Sequence, residues 1–381
     1  MKKLIVTTIG IALLFACKPK KESPTPSSTE DLAIENYAAI AYANYKDAYD
    51  EAIKLQNGIK DFCSNPTEDK FKNLKVLYVN ARIPYEQTEP FRTANGPIDT
   101  GTDAVEGRLN GWPLAENFVD YIEKDSTTGI INDKTNYPTI TSEVLIENHE
   151  KGGESNLTLG YHVIEFLLWG QDLNVDPSTA GQRKFTDYTT LKNADRRKEY
   201  LIAATDILIA DLKYVMDAWA PESSFRKSFV ASDSSFQYMV RGIAWFTAGE
   251  LPTERMYKAV ENKDQEEEHS CFSDLTDQDI KLSMKGVNNL IYGKYVTSSG
   301  DSIIGKGIID VLNEKNTSGA TLVKTKLNTA LVNSNAIPAP FDQAIINTPE
   351  TIVVAKNSIF NFSNSLQEAA YNAGYKLVIP E

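Results

Sequence analysis

Between residues 31 and 374 the apolar side chains of this chain recur at helical spacing, and no stretch insists on a strand. Tyr37, Ile40, Ala41, Asn44, Tyr45 and Ala48 fall three or four positions apart, which sets them on one face of a helix over 31–62. Cys63 to Thr67 reads as a stop and restart, with Asn65 suited to an N-cap and Pro66 to a first helical turn. A second helix follows over 71–92, and Pro84 is placed to bend or break it. Residues 93–103 and the region around 124–138 read as loops. The next helix begins near Asn156 and ends at Gly170. Residues 172–190 read as a link, followed by a long helix over 196–219. A further helix, over 234–260, is broken near Gly249 and Pro252. An acidic, irregular run over 261–279 precedes helices at 280–295, 303–314, 318–332 and 356–374. The expected fold class is all-α: two helical bundles packed side by side, 31–190 and 191–381, with long connecting loops. GYHVIEFLLWGQ from Gly160 and GIAWFTAGE from Gly242 echo each other, as an internal duplication would.

The first thirty residues stand apart. Lys2 and Lys3 precede an apolar run over 4–16 that is too short to span a bilayer and has the length of a signal segment. It ends Leu14-Phe15-Ala16-Cys17, which resembles a lipobox, so residues 1–16 are expected to be a signal peptide and Cys17 the lipidated residue. Residues 17–30 form a flexible Pro/Ser/Lys tether. The mature chain is then anchored to a membrane rather than spanning it. Outer-membrane attachment, facing the periplasm or the cell surface, is the expected place.

Loss of Lys2 and Lys3 takes the formal charge from −13 to −15, and a surface this acidic excludes nucleic acid as a partner. Besides Cys17 only Cys63 and Cys271 remain; in an oxidising compartment they could form one disulfide or stay as free thiols.

The chain has three histidines, His149, His162 and His269. His162 and Glu165 stand at i and i+3, so an imidazole and a carboxylate from adjacent turns can address one metal ion. Such a pair arises by chance about one time in six at ordinary composition, so the surrounding sequence must decide. Two ligands are too few for tight binding, and Glu86, Glu89 and Glu116 are the acids in the first half that could join them. Arg108 could pair with an acid beside the site, and Trp112 packs between helices.

Gly-x-His-x-x-Glu inside GYHVIEFLLWGQD (160–172) resembles the signature of the imelysin family, above all its iron-regulated protein A-like branch. YEQTEPFR (85–92), GRLNGWPLAENFVDYIE (107–123) and GELPTERMYKAVENKDQEEEHSCFSD (249–274) resemble further segments of that branch, in the same order. The resemblance implies an all-helical two-bundle fold, export as a lipoprotein or periplasmic protein, and a link to iron uptake through relatives that bind metal at the His-x-x-Glu pair. It also implies a peptidase alternative, since some members are described as peptidases.

His162 and Glu165 are thus the first-choice ligands, with Glu86 and Glu116 beside them and iron as the expected ion; zinc or copper suits the same atoms. Gly160, Arg108, Trp112, Glu250, Arg255 and His269 are candidate site residues from the matching segments. The expected partners are iron or an iron chelate and an outer-membrane receptor or transporter. A metallopeptidase would use His162, Glu165 and His269 as a His₂Glu set, with Glu250 or Glu267 as base. H-E-x-x-H is absent, and His269 falls in an acidic loop, a poor place for a rigid ligand. A third reading places haem, a chelate or a glycan in a cleft lined by Trp112, Tyr161 and Trp169.

Overall fold

The computed structural model describes residues 27–101, 104–173 and 179–378. The signal segment, Cys17 and most of the tether lie outside the described residues. Ser28 and Asp31 cap α1 (Thr29–Ser64) reciprocally, each side chain bonding the other's backbone N–H. The whole expected stripe of α1, Tyr37 to Ala48, is buried. Alanines at 33, 38, 41, 48 and 52 are buried as well, so neighbouring helices approach closely from more than one side. Thr67, not Asn65, caps α2 (Glu68–Glu86), and Asn65 instead ends α1. α2 runs two residues past Pro84, and the Pro84 carbonyl is taken up by Asn44 Nδ2 at 2.7 Å.

A tight turn at Glu89–Phe91 leads to the short helices α3 (Glu106–Asn110), α4 (Glu116–Val119) and α5 (Ser142–Asn148), and then to α6 (Tyr161–Trp169). Every residue of α6 is buried. α7 (Ala194–Trp219) returns along α1, followed by α8 (Ser224–Val230) and α9 (Ser235–Trp245). Instead of breaking at Pro252, the chain continues from α9 as a wide π-type helix over Phe246–Tyr257. Proline lacks the amide hydrogen an ordinary α-turn needs, and the wider turn accommodates it. α10 (Lys258–Asn262) and α11 (Thr276–Tyr292) flank the acidic segment.

Gly293, in the left-handed region at φ +65°, ends α11. A small antiparallel hairpin follows, Lys294–Val296 with Ser302–Ile304, where helix was expected on both sides. Tyr295 is its anchor, buried and donating to Asp47 Oδ2 at 2.7 Å. α12 (Ile308–Lys315), α13 (Thr317–Asn335), α14 (Phe341–Asn347) and α15 (Pro349–Asn372) complete the all-α architecture.

α1, α2, α6 and α7 form one group of packed helices; α9, the π-type helix, α13 and α15 form another. α11 lies between, touching α2 and the Glu89–Phe91 turn on one side and α12 and α13 on the other. α1 reaches into both groups. The two echoed glycines do different work. Gly160 caps α6 at φ +98°, whereas Gly242 sits inside α9 where a Cβ would meet the Arg92 carbonyl oxygen at 2.7 Å. Among the described helices none is long and apolar enough to cross a membrane. Of the two alternatives for the cysteines, the structure has the second: Cys63 and Cys271 are free thiols. Burial pushes the Cys63 thiol up to about 12 and raises that of Cys271.

Candidate metal centre

Gly160 makes the site possible. Its φ of +98° with ψ of 179° is a conformation open essentially to glycine alone. A Cβ there would stand 2.9 Å from the Leu109 carbonyl oxygen and 3.0 Å from that of Arg108. This close approach lets α6 start against α3 and points its first turn inward. Gly160→Ala is expected to cost about 1–3 kcal/mol from backbone strain alone, with the contact adding to it, read as a lower urea midpoint.

His162 leaves that first turn with Nδ1 2.9 Å from Glu165 Oε2. Glu165 Oε1 accepts from the Ser273 amide at 3.0 Å and from its hydroxyl at 2.6 Å. Tyr78 adds a long contact to Oε2 at 3.4 Å. Glu165 therefore stands behind the ring of His162, with both oxygens engaged there.

The structure corrects the placing of His269. The residue is 1 % exposed, as is His162, and the two Nε2 atoms are 3.3 Å apart with the rings nearly perpendicular at 78°. The acidic segment turns inward at Glu268. The Ser270 amide bonds Thr276 Oγ1 at 2.8 Å and its hydroxyl donates to Asp279 Oδ2 at 2.6 Å. His269 Nδ1 meets the same Asp279 oxygen at 2.9 Å. Burial works against ionisation of Asp279, but the Arg82 guanidinium at 3.0 Å and the bonds from His269 and Ser270 outweigh it and hold the carboxyl below the usual range.

These contacts assign the protons. Burial lowers both imidazoles, so each is neutral and carries one N–H. Asp279 and Glu165 only accept, so each Nδ1 is the donor. With Nδ1 as the donor in each ring, the two Nε2 atoms face each other as acceptors 3.3 Å apart.

Around this pair lies a buried ionic cluster. Arg82 spans Glu86 Oε1 at 2.5 Å, Asp279 and Asn110 Oδ1 at 2.6 Å. Arg255 binds Glu89 at 2.7 Å and Glu250 at 3.0 Å and stands 3.7 Å from Glu86. Burial holds the Glu86 carboxyl above the usual range, and its Oε1 makes no hydrogen bond of good geometry. Glu86, His269 and Asp279 offer ligand atoms within 4.8 Å of one another. Partly exposed Trp112 packs its ring edge-on to His269, with the centroids 5.9 Å apart.

Other expected residues lie elsewhere. Glu116 is bonded to Gln171 and faces Glu266 rather than the histidines. Arg108 grips Asp211 of α7 through two bonds, at 2.9 and 2.7 Å. Glu250 is held by Arg255, and Glu254 pairs with Lys258. His149 bonds the Gly107 carbonyl, away from the pair. Tyr161 is a core residue packed on Tyr78; Trp169 also packs on Tyr78 but lines a surface pocket with Tyr121, Gln171 and Arg183 that neither Tyr161 nor Trp112 joins. Sequence reasoning missed Arg82, Asn110, Ser273 and Asp279. Only Arg82, four residues before Glu86 on one helix face, carried a readable signal.

The comparisons agree with this architecture. A crystal structure named "putative iron-regulated protein A precursor", from Parabacteroides distasonis, superposes with a TM-score of 0.71 over 94 % of this chain and 97 % of that chain, at 16 % identity. No curated protein sequence matches. The family model for imelysin matches residues 41–368, most of the length. The chain belongs to the imelysin family.

Proposed function

We propose that this protein is an exported, lipid-anchored metal-binding protein that captures one ion between His162 Nε2 and His269 Nε2 in the service of iron acquisition. The observation that carries this is the convergence of two imidazole lone pairs at 3.3 Å. Two nitrogens sharing a tetrahedral ion at about 2.0–2.1 Å stand about 3.3–3.4 Å apart. Each ring is backed by a carboxylate on its other nitrogen, Glu165 or Asp279, as metal-bound histidines are. Glu86 offers a carboxylate oxygen within 4.8 Å of a His269 ring nitrogen and of Asp279; a carboxylate added to the two imidazoles would suit ferrous iron and also zinc. The name of the Parabacteroides protein supports iron as the cargo, and the lipobox-like start supports anchoring at the outer membrane.

A peptidase reading fares less well. Glu165 lies behind His162 rather than beside the convergence point, Glu250 is held by Arg255, and both rings are buried. With both imidazoles 1 % exposed, a polypeptide substrate does not reach them in this structure.

Calorimetric titration of the full chain with ferrous iron under anaerobic conditions, ferric citrate and zinc tests the proposal. One saturable site is expected in the native chain, and none in His162→Ala. Equal binding by both would overturn it.

A further inference from the structure

A second cluster of acids lies on the other side of the segment that carries His269. Asp172 follows α6, Glu268 and Asp274 flank the inward turn, and Asp342 lies in α14. All four side chains are buried, Glu268 fully, Asp342 and Asp172 at 1 % and 2 % exposure. Asp172, Asp274 and Asp342 offer carboxylate oxygens within 4.8 Å of one another, and Glu268 faces Asp342 and Asp274. Five of these oxygens, both of Glu268, both of Asp342 and Oδ1 of Asp274, have no hydrogen-bond partner among the described residues. Among the described residues Glu268, Asp274 and Asp342 form no ion pair with a lysine or arginine.

Buried carboxylates crowded in this way need a counter-charge. We propose that Asp172, Glu268, Asp274 and Asp342 form a binding site for a hard divalent cation, calcium, distinct from the histidine pair. The separation fits. An ion with Ca–O bonds of about 2.3–2.6 Å spans about 4.6–5.2 Å between opposite oxygens, so one ion reaches all three aspartates. The donor set is oxygen only, which favours calcium over zinc or copper.

The site has a structural consequence. Glu268 precedes His269, and Asp274 follows Ser273, the residue that bonds Glu165. Asp172 closes the segment that leaves α6. Calcium here ties together the two stretches of chain that carry His162 and His269.

The test uses the full chain, stripped with EDTA and then titrated with CaCl₂ in calorimetry and thermal unfolding. One calcium per chain and a rise in Tm are expected, with MgCl₂ giving a smaller rise. His162→Ala should bind calcium as the native chain does, which separates this site from the proposed iron site. Asp342→Asn should lose at least ten-fold in calcium affinity yet unfold no earlier than the native chain in EDTA, because one crowded charge is gone. Absence of any calcium response in the native chain would overturn the proposal and leave shared protons as the counter-charge. So would a calcium response lost in His162→Ala, or kept in full by both Asp342→Asn and Glu268→Gln.

Discussion

Arg82→Ala is expected to lower the folding free energy by about 3–5 kcal/mol, read as a fall in the urea midpoint at unchanged slope. Arg82 is 2 % exposed and lies against Glu86 and Asp279 at 2.5 and 3.0 Å. Its other terminal nitrogen holds Asn110, which in turn donates to Glu89 at 3.1 Å. Removing the guanidinium leaves two carboxylates in the core facing each other across the space it filled. Asp279 loses the charge that keeps it ionised, and Arg255, 3.7 Å from Glu86 and already shared with Glu89 and Glu250, is badly placed to substitute. The side chain also covers Tyr161, with its guanidinium 5.1 Å from the ring centroid, so packing is lost as well as charge. Arg82→Lys keeps one charge but not the fork that reaches three partners, and should fall between the two. A loss for Arg82→Ala below about 1 kcal/mol, the level of an exposed ion pair, would show that the cluster does not depend on this residue.

Much of the fold was legible because it rests on local pattern. The apolar stripe of α1 predicted its buried face residue by residue, and α6 was read from an apolar run ending in Gly170. The readings failed where one local signal competed with tertiary context. Proline predicts an interrupted α-helix, but not that the chain will answer Pro252 by widening its turns. The hairpin after Gly293 is too short to show alternation, and its anchor to Asp47 joins residues 248 positions apart.

The site was legible only in part for the same reason. The i, i+3 spacing of His162 and Glu165 guarantees proximity, but it does not say which imidazole nitrogen the carboxylate meets. It meets Nδ1, so in the proposed site Glu165 orients His162 rather than holding the ion. Glu266-Glu267-Glu268-His269-Ser270 reads as a solvated loop because charge runs usually are. Here Glu268, His269 and Ser270 are buried, by partners remote in sequence such as His162 and Asp342, or hidden in the first turn of α11 such as Asp279. An aspartate at a helix start looks like an ordinary N-terminal acid, so nothing in the sequence marked Asp279 as the support of His269.

Those two roles, ligand and support, separate in affinity. His269→Ala should abolish saturable binding of the ion as completely as His162→Ala, because either change leaves one nitrogen and an unpaired neighbour. Glu165→Gln should retain one site per chain but weaken it about 10–100-fold, the usual cost of losing an outer-shell carboxylate. Glutamine can still accept from Nδ1, so His162 keeps its tautomer while losing the charge behind it, and the amide NH₂ replaces the oxygen that accepts from Ser273. If Glu165 were itself a ligand, its amide would be a far poorer donor, and Glu165→Gln would match the histidine variants. The affinity of this one variant, set against His269→Ala under the same conditions, therefore decides whether the ion sits on the Glu165 side of the imidazole or between the two Nε2 atoms. The proposed site, resting on the 3.3 Å separation of those atoms, expects the second outcome.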